Sequence, residues 1–451
     1  MNQSTALTNI SYSVSNDCVE EGPSDVTSAV LFTAQQLRHG AVVIPILVVL
    51  YMVSAMNTVS ARYFIPAIEA MCIELKISKN IAGTTFVAVG GSLGEVLITT
   101  ISTVTGSKGV GFGTVVGSAY ILMFIVGICA FLSPSTLLEW WPIVRDTLLY
   151  SISIIPMVIF LVDGVVYWYE SAILLFLYVV YVVVVVFNQR IEASFRKCCY
   201  KKFEKGEKQH IIEHSVFAES HTDETIMDVF EEAATEGEDG HYVHYLHHFP
   251  KSKLGKVYYV FDAPVSAALY ISIPDCHNPR WRKWYPLAIV MSVAWLVFFT
   301  LVFLLMLNIT AEVLGIPDTV MGLTFGTLGA SAPTIVLSVV ALQKGHADIA
   351  IANALGNNVF NILVCAGLPW FVYSLAHKTN GQHLMAIDVS GGVAFSGSLL
   401  LASGLIPLFF LAISRWRLNR LNGAILVMFY IAFTVVTVIF EVNGKRKCIT
   451  N

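Results

Sequence analysis

The chain has 451 residues, 13% of them charged and 56% hydrophobic, with a net charge of -4 at neutral pH. Of its 58 Asp, Glu, Lys and Arg residues, 28 fall between Asn188 and Lys283, and the other 355 residues are only about 8% charged. A soluble globular protein, a disordered chain, collagen and a small disulfide scaffold are excluded, and nothing supports nucleic-acid binding.

What remains is an all-α polytopic membrane protein: two membrane halves joined by a polar loop. A bilayer-spanning helix needs roughly 20 mostly apolar residues. Ten such segments are read in chain order, at 40–56, 82–104, 110–132, 147–164, 169–187, 284–308, 319–342, 349–374, 389–412 and 421–441. They divide the chain into an external segment (1–37), a first five-helix half (38–187), a cytosolic loop (188–283), a second five-helix half (284–441) and a tail (442–451). A strand-built pore is excluded, because its segments would be short and alternating.

Orientation follows Lys and Arg in the short loops. Arg62, Lys76, Lys79, Arg145, Lys344, Arg415, Arg417 and Arg420 share the side of the central loop, and only Lys108 and Lys378 lie opposite. The loop is therefore expected in the cytosol and the N-terminus outside. Glycosylation sequons at Asn2 and Asn9 agree, whereas the basic run Lys445 to Lys447 in the external tail runs against it. Residues 1–34 hold no signal-peptide core, so the first span is expected to act as the anchor. The eight cysteines form no framework; Cys18 and Cys448 are both placed outside, where a bridge is open.

The second and third spans repeat in the seventh and eighth. Written at an offset of 239 residues without gaps, Gly83, Thr85, Phe86, Gly90, Ser92, Gly106 and Gly117 fall on Gly322, Thr324, Phe325, Gly329, Ser331, Gly345 and Gly356. Chance likeness between glycine-rich helices is the plain alternative. Five spans per half is an odd number, so the second copy (322–361) enters the membrane from the side opposite to the first (83–122). Inverted repeats of this kind build many secondary transporters.

Each copy carries polar chemistry at mid-span. Gly90-Gly91-Ser92-Leu93-Gly94-Glu95 and Gly329-Ala330-Ser331-Ala332-Pro333-Thr334 are expected to interrupt their helices and free backbone carbonyls, hard ligands suited to sodium or calcium. Glu95 is an ionisable group at the bilayer midplane, either an ion ligand or a protonated carboxyl bonded to a neighbouring helix. Ser118 and Asn357, Asn358 and Asn361 supply facing oxygens, unless they serve helix–helix hydrogen bonding instead. With Thr99, Thr334 and Ser338, the candidate ion-contacting set is Gly90, Gly91, Ser92, Glu95, Thr99, Ser118, Ser331, Thr334, Ser338, Asn357, Asn358 and Asn361.

The central loop adds a basic block from Arg190 to Lys208, then ten acids between Glu213 and Asp239. The acids read as a solvated segment or a regulatory calcium patch, and the basic block as a contact with anionic lipid. His241, His244, His247 and His248 follow a helical spacing that zinc or proton sensing could use, although no nearby Cys supports it. The run from Tyr258 to Pro274 is more apolar and reads as an amphipathic segment lying before the sixth span, or as a plain surface helix or loop packed on the membrane half.

Several motifs together resemble the sodium/calcium exchangers, and specifically their potassium-dependent branch. They are Tyr63-Phe64-Ile65-Pro66-Ala67-Ile68-Glu69, Ile81-Ala82-Gly83-Thr84-Thr85-Phe86, Gly113-Thr114-Val115-Val116-Gly117-Ser118-Ala119, Trp141-Pro142-Ile143-Val144-Arg145-Asp146, Gly315 to Thr324, and Gly367-Leu368-Pro369-Trp370. The resemblance implies exchange of sodium against calcium, with potassium in this branch, by alternating access. An enzyme is not expected, because the polar segments hold no nucleophile–base pair or phosphate loop, and no cofactor is expected. A plasma-membrane rather than organellar location is expected.

The departures fall on the ion site. Where the family's first repeat reads Gly-Ser-Ser-Ala-Pro-Glu, this chain keeps Glu95 and loses the proline to Gly94. The acid that follows Pro in the second repeat is Thr334, the Asn closing the first repeat's Gly-Ser segment is Leu122, and the Asp tied to potassium dependence is Asn361. Asp348 matches the family's acid at the start of its span. One carboxylate leaves a divalent ion with about one uncompensated charge in a medium of low dielectric. Weakened calcium binding and no potassium requirement are expected. A monovalent-cation or cation/proton exchanger of the same fold, and a non-transporting scaffold or regulator, are the competing readings.

Overall fold

The computed structural model describes residues 42–75, 88–132, 136–162, 164–187, 253–276, 281–343, 347–379, 382–386 and 393–450. Readings that rest on residues outside these lie beyond the described structure: the sequons, Cys18, Lys76, Lys79, Lys344, the Ile81 to Phe86 motif that opens the first repeat, Gly345 of the second, and the basic block, acidic run and histidine cluster of the loop. Within it stand eleven long helices: α1 (Val43–Glu74), α2 (Ala88–Thr105), α3 (Lys108–Leu132), α4 (Trp140–Leu161), α5 (Trp168–Val186), α6 (Lys253–Ser272), α7 (Tyr285–Leu314), α8 (318–343), α9 (347–376), α10 (Val393–Ile413) and α11 (Arg420–Thr450). Among the described residues, nine of these are long and apolar enough to cross a membrane. The remaining expected span, 82–104, corresponds to α2, whose described part starts at Ala88. Large apolar side chains such as Phe176, Ile159, Phe409 and Met428 face outward, the arrangement a lipid environment rewards.

Several spans are longer than the sequence suggests. α1 continues to Glu74, well past residue 56, because Ser60–Phe64 forms a π turn that carries the helix on through Ile65–Glu74. Pro66 causes no break, since it stands in the first turn of the resumed α-helical stretch, where its missing N–H costs least. α7 ends at Gly315, whose left-handed backbone (φ 65°) suits a residue without Cβ.

The architecture is helical but not entirely so. β1 (Val165–Tyr167) pairs antiparallel with β3 (Gln382–Ala386), which pairs with β2 (Lys378–Thr379). Span-based reading passes over these strands because each is too short for a period-2 signal. They tie the α4–α5 connection to the α9–α10 connection.

The expected interruptions within the two glycine motifs are absent. α2 runs unbroken through Gly90 to Glu95, and α8 is α-helical from Thr327 through Pro333 to Gln343. Neighbouring helices hold these segments in helical geometry. The irregularity sits elsewhere, in π turns at Gly322–Gly326 in α8 and Asn361–Ala366 in α9. Pro333 still frees a carbonyl one turn upstream, because it has no N–H to give.

The α8 π turn packs directly on α3. A methyl on Gly113 would strike the Thr319 carbonyl oxygen, and one on Gly322 would strike the Val110 carbonyl oxygen. Backbones meet here because both surfaces lack side chains, the usual way membrane helices approach closely. One buried cluster joins α1, α6 and α7; others join α3, α4, α5, α9, α10 and α11. α2 and α8 lie where these groups meet.

The apolar run before the sixth span is helical, as α6, and packs on α1. Asp262, 1% exposed, accepts hydrogen bonds from Thr58 at 2.8 Å, Arg62 at 2.8 Å and Ser266 at 2.6 Å. Tyr51 and Phe261 meet edge to face beside it. Arg145 makes a second ion pair, with Asp146 of its own helix, through two 2.8 Å contacts.

Candidate functional site

Helix α2 supplies Gly90, Gly91, Ser92, Glu95 and Thr99. Helix α3 supplies Ser118. Helix α8 brings Ser331, Thr334 and Ser338, and α9 brings Asn357, Asn358 and Asn361. Every polar side chain in this set is buried.

The centre is the crossing of α2 and α8. Glu95 is 1% exposed, so its carboxyl is surrounded by protein rather than solvent. Its Oε1 accepts a hydrogen bond from Ser331 Oγ at 2.8 Å and a longer one from Asn357 Nδ2 at 3.5 Å. Ser92 in turn donates to Asn357 Oδ1, fixing which way that amide points. Donors therefore converge on one carboxyl oxygen. The other, Oε2, is buried without a hydrogen-bond partner. A buried acceptor in that state costs free energy until something electropositive fills its place. Thr334 stands opposite Gly91, where an added Cβ would lie 3.9 Å from its Oγ1.

A second polar group sits beside the first. Asn361 Nδ2 donates to Ser118 Oγ at 3.0 Å, and Ser118 donates to the Val115 carbonyl at 3.0 Å. The Cys365 thiol donates to Asn361 Oδ1 at 3.3 Å. Sequence reading picked out Asn361 and Ser118 but missed Cys365. Its signal was the four-residue spacing from Asn361, which places two side chains on one helix face.

Four candidates lie apart from the carboxyl. Thr99 donates back to the Glu95 carbonyl at 2.8 Å, an intrahelical bond. Ser338 reaches the Ala350 carbonyl at 3.4 Å, and Asn358 the Ala119 carbonyl at 3.4 Å; both tie helices together. Gly90 faces Ile65 of α1, whose Cγ1 would lie 3.2 Å from an added Cβ. Asp348 is the second residue of α9.

Fold and site together define a membrane transporter architecture of two inverted five-helix halves, with one carboxyl buried where the paired glycine-bearing helices cross. The family model described as sodium/calcium exchanger protein matches residues 45–187 and 284–439, and the chain belongs to that family. The gap between the two matched blocks coincides with the polar loop. The human protein "Sodium/potassium/calcium exchanger 5" is 33% identical, covering 96% of this chain and 90% of its own. The human "Sodium/potassium/calcium exchanger 3" is 26% identical over 95% of this chain and 85% of its own. Among solved structures, an "H+/Ca2+ Exchanger CAX" shares the fold, with a TM-score of 0.53 at 13% identity over 92% of this chain and 91% of that one.

Proposed function

We propose that the chain is a sodium-coupled cation antiporter that exchanges sodium for calcium by alternating access. The observation that carries this is Glu95: a buried carboxyl whose Oε1 is held by donors from α8 and α9, while Oε2 has no hydrogen-bond partner. A hard cation is the natural complement of such an oxygen. Ser92, Ser331, Thr334 and Asn357 add hydroxyl and amide oxygens around it, and Gly91 leaves the helix surface open opposite Thr334. The names of the relatives support calcium and sodium as the exchanged ions.

Charge sets the selectivity. The motif positions occupied by Thr334 and Asn361 supply no second carboxylate, so calcium binding is weak and potassium is not required. The polar loop lies in the cytosol, the N-terminus outside, and the protein works in the plasma membrane. The test is flux through the purified protein in liposomes, driven by a sodium gradient, with and without potassium. Sodium-driven calcium uptake indifferent to potassium supports the reading; potassium-stimulated uptake at high calcium affinity overturns the charge argument. Thr334 and Asn361 also favour a second reading, a monovalent-cation or cation/proton exchanger. Cation flux that follows a proton gradient and ignores calcium would select it.

A further inference from the structure

We propose that α6 is a lipid-embedded helix: its outward face, formed by Val260, Pro264, Ala267 and Ile271, lies against the acyl chains of the bilayer. The charged part of the central loop stays outside the membrane, and the loop's last helix does not. The inference goes beyond the exchanger reading and needs only the membrane fold.

Helix α6 has two distinct faces. Asp262, Val265, Ser266 and Leu269 fall on one at helical spacing and are buried, and Val265 and Leu269 pack in the cluster that joins α1 and α7. Val260, Pro264, Ala267 and Ile271, spaced four, three and four apart, fall on the opposite one. All four are exposed, Val260 at 66% and Ile271 at 85%, and Phe261 and Tyr270 are exposed on the flanks. A helix packed on a protein surface in water would turn charged side chains outward. Here the stretch from Val257 to Pro274 holds one of the 28 charged residues between Asn188 and Lys283, and that one, Asp262, faces inward to Arg62. The helix is therefore apolar on both sides rather than amphipathic, the pattern of a segment with lipid behind it.

Its neighbours place it at membrane depth. Trp281 and Trp284, both exposed and flanking Arg282 and Lys283, mark the water–bilayer boundary at the start of α7. Trp295 Nε1 donates to Ser272 Oγ at 2.9 Å, and Trp295 stands about 15 Å along α7 from Tyr285, well past that boundary. Phe261 meets Tyr51 of the first span edge to face, with ring centroids 4.7 Å apart. The two helices that α6 packs on expose apolar side chains of their own, Leu47 and Leu50 on α1 and Val290 and Phe298 on α7, so one hydrocarbon layer covers all three. The one acid within this layer is neutralised, because Arg62 meets Asp262 at 2.8 Å. The highly charged remainder of the loop is a poor match for an uncharged face, since its side chains would lose water and gain no partner there.

The test uses the full-length protein in liposomes and reads no transport. A fluorescent amino acid sensitive to its surroundings is introduced in place of Val260 or Ile271, and in place of Arg417, exposed on the turn between α10 and α11, as a reference. Phosphatidylcholine brominated on its acyl chains quenches from the lipid, and iodide quenches from water. Both α6 probes should lose most of their emission to the bromolipid and little to iodide, and the reference probe should show the reverse. Iodide quenching of the α6 probes at the level of the reference would put this face in water and overturn the proposal. Protection from both quenchers would overturn it too, because the charged part of the loop or a second copy of the chain would then cover the face. Two separate positions, neither on the buried stripe, keep the test decisive if one variant fails to fold. Absence of sodium-driven calcium flux would remove the exchanger reading and leave this result standing.

Discussion

Ser331 Oγ reaches across the helix crossing and donates to Oε1 of Glu95 at 2.8 Å, joining one copy of the internal repeat to the other. The serine matched to Ser331 in the first copy, Ser92, donates to Asn357 Oδ1, and the amide of Asn357 returns to the same carboxyl. Polar groups from both copies therefore meet on one acid. Because both copies contribute, relative movement of the two halves must alter how that acid is held, which is what alternating access requires of an ion site.

Replacing Glu95 with Gln tests whether its charge binds the transported ion. The amide is nearly the same size, so packing at the crossing is retained. Removing a buried charge from a cation's ligands should weaken binding roughly a hundredfold or more. Sodium-dependent calcium uptake into liposomes should fall to background, while the protein remains monodisperse on size exclusion. Undiminished flux would show that Glu95 is only a structural carboxyl.

Restoring acids should act in the reverse direction. The double change Thr334→Asp and Asn361→Asp adds carboxylates at two positions that here carry neutral oxygen. Calcium sites gain affinity with ligand charge. The half-saturating calcium concentration should fall about tenfold or more in a calcium-concentration series of flux measurements. A rise, with the protein still folded, would mean that charge does not limit calcium binding.

How far the sequence carried this reading varies from residue to residue. Glu95, Ser331 and Asn357 were legible because polar residues in apolar segments stand out, and the fixed offset of 239 aligned Ser92 with Ser331. Helix continuity through Gly94 and Pro333 was not, since glycine and proline signal a break only when neighbours do not hold the backbone. The π turns at Gly322–Gly326 and Asn361–Ala366 were equally hidden, because a one-residue widening leaves no trace in hydropathy. Cys365 was missed for a different reason: in an apolar stretch a thiol reads as a small hydrophobe.

The contact between α3 and α8 gives a prediction about stability. Gly113→Ala places a methyl on the Thr319 carbonyl oxygen, with the Leu323 backbone nitrogen only 2.9 Å away. Backbone cannot yield as a flexible side chain can, so the helices must separate, at a cost of about 1–3 kcal/mol or more. Gly94→Ala is the comparison, because its Cβ would meet Met56 and Ala330 at ordinary distances of 3.6 and 3.7 Å. Detergent melting should drop by several degrees for the first and change little for the second. Equal melting temperatures would mean that the close approach carries no weight.

Asp262 concerns the attachment of α6 to the first span. Its carboxylate takes hydrogen bonds from Thr58, Arg62 and Ser266 and is almost wholly buried, whereas the Arg62 side chain is 28% exposed. Asp262→Asn keeps the volume and removes the charge, leaving the guanidinium against a neutral amide. The expected loss is about 1–3 kcal/mol, since part of the arginine can rehydrate. A double-mutant cycle with Arg62→Met separates the pair from general packing. If the two act as one unit, the double variant loses less than the sum of the singles, by about 1 kcal/mol. Strict additivity in the melting data would show that α6 is held by its apolar contacts to α1 and α7, with the buried ion pair contributing little.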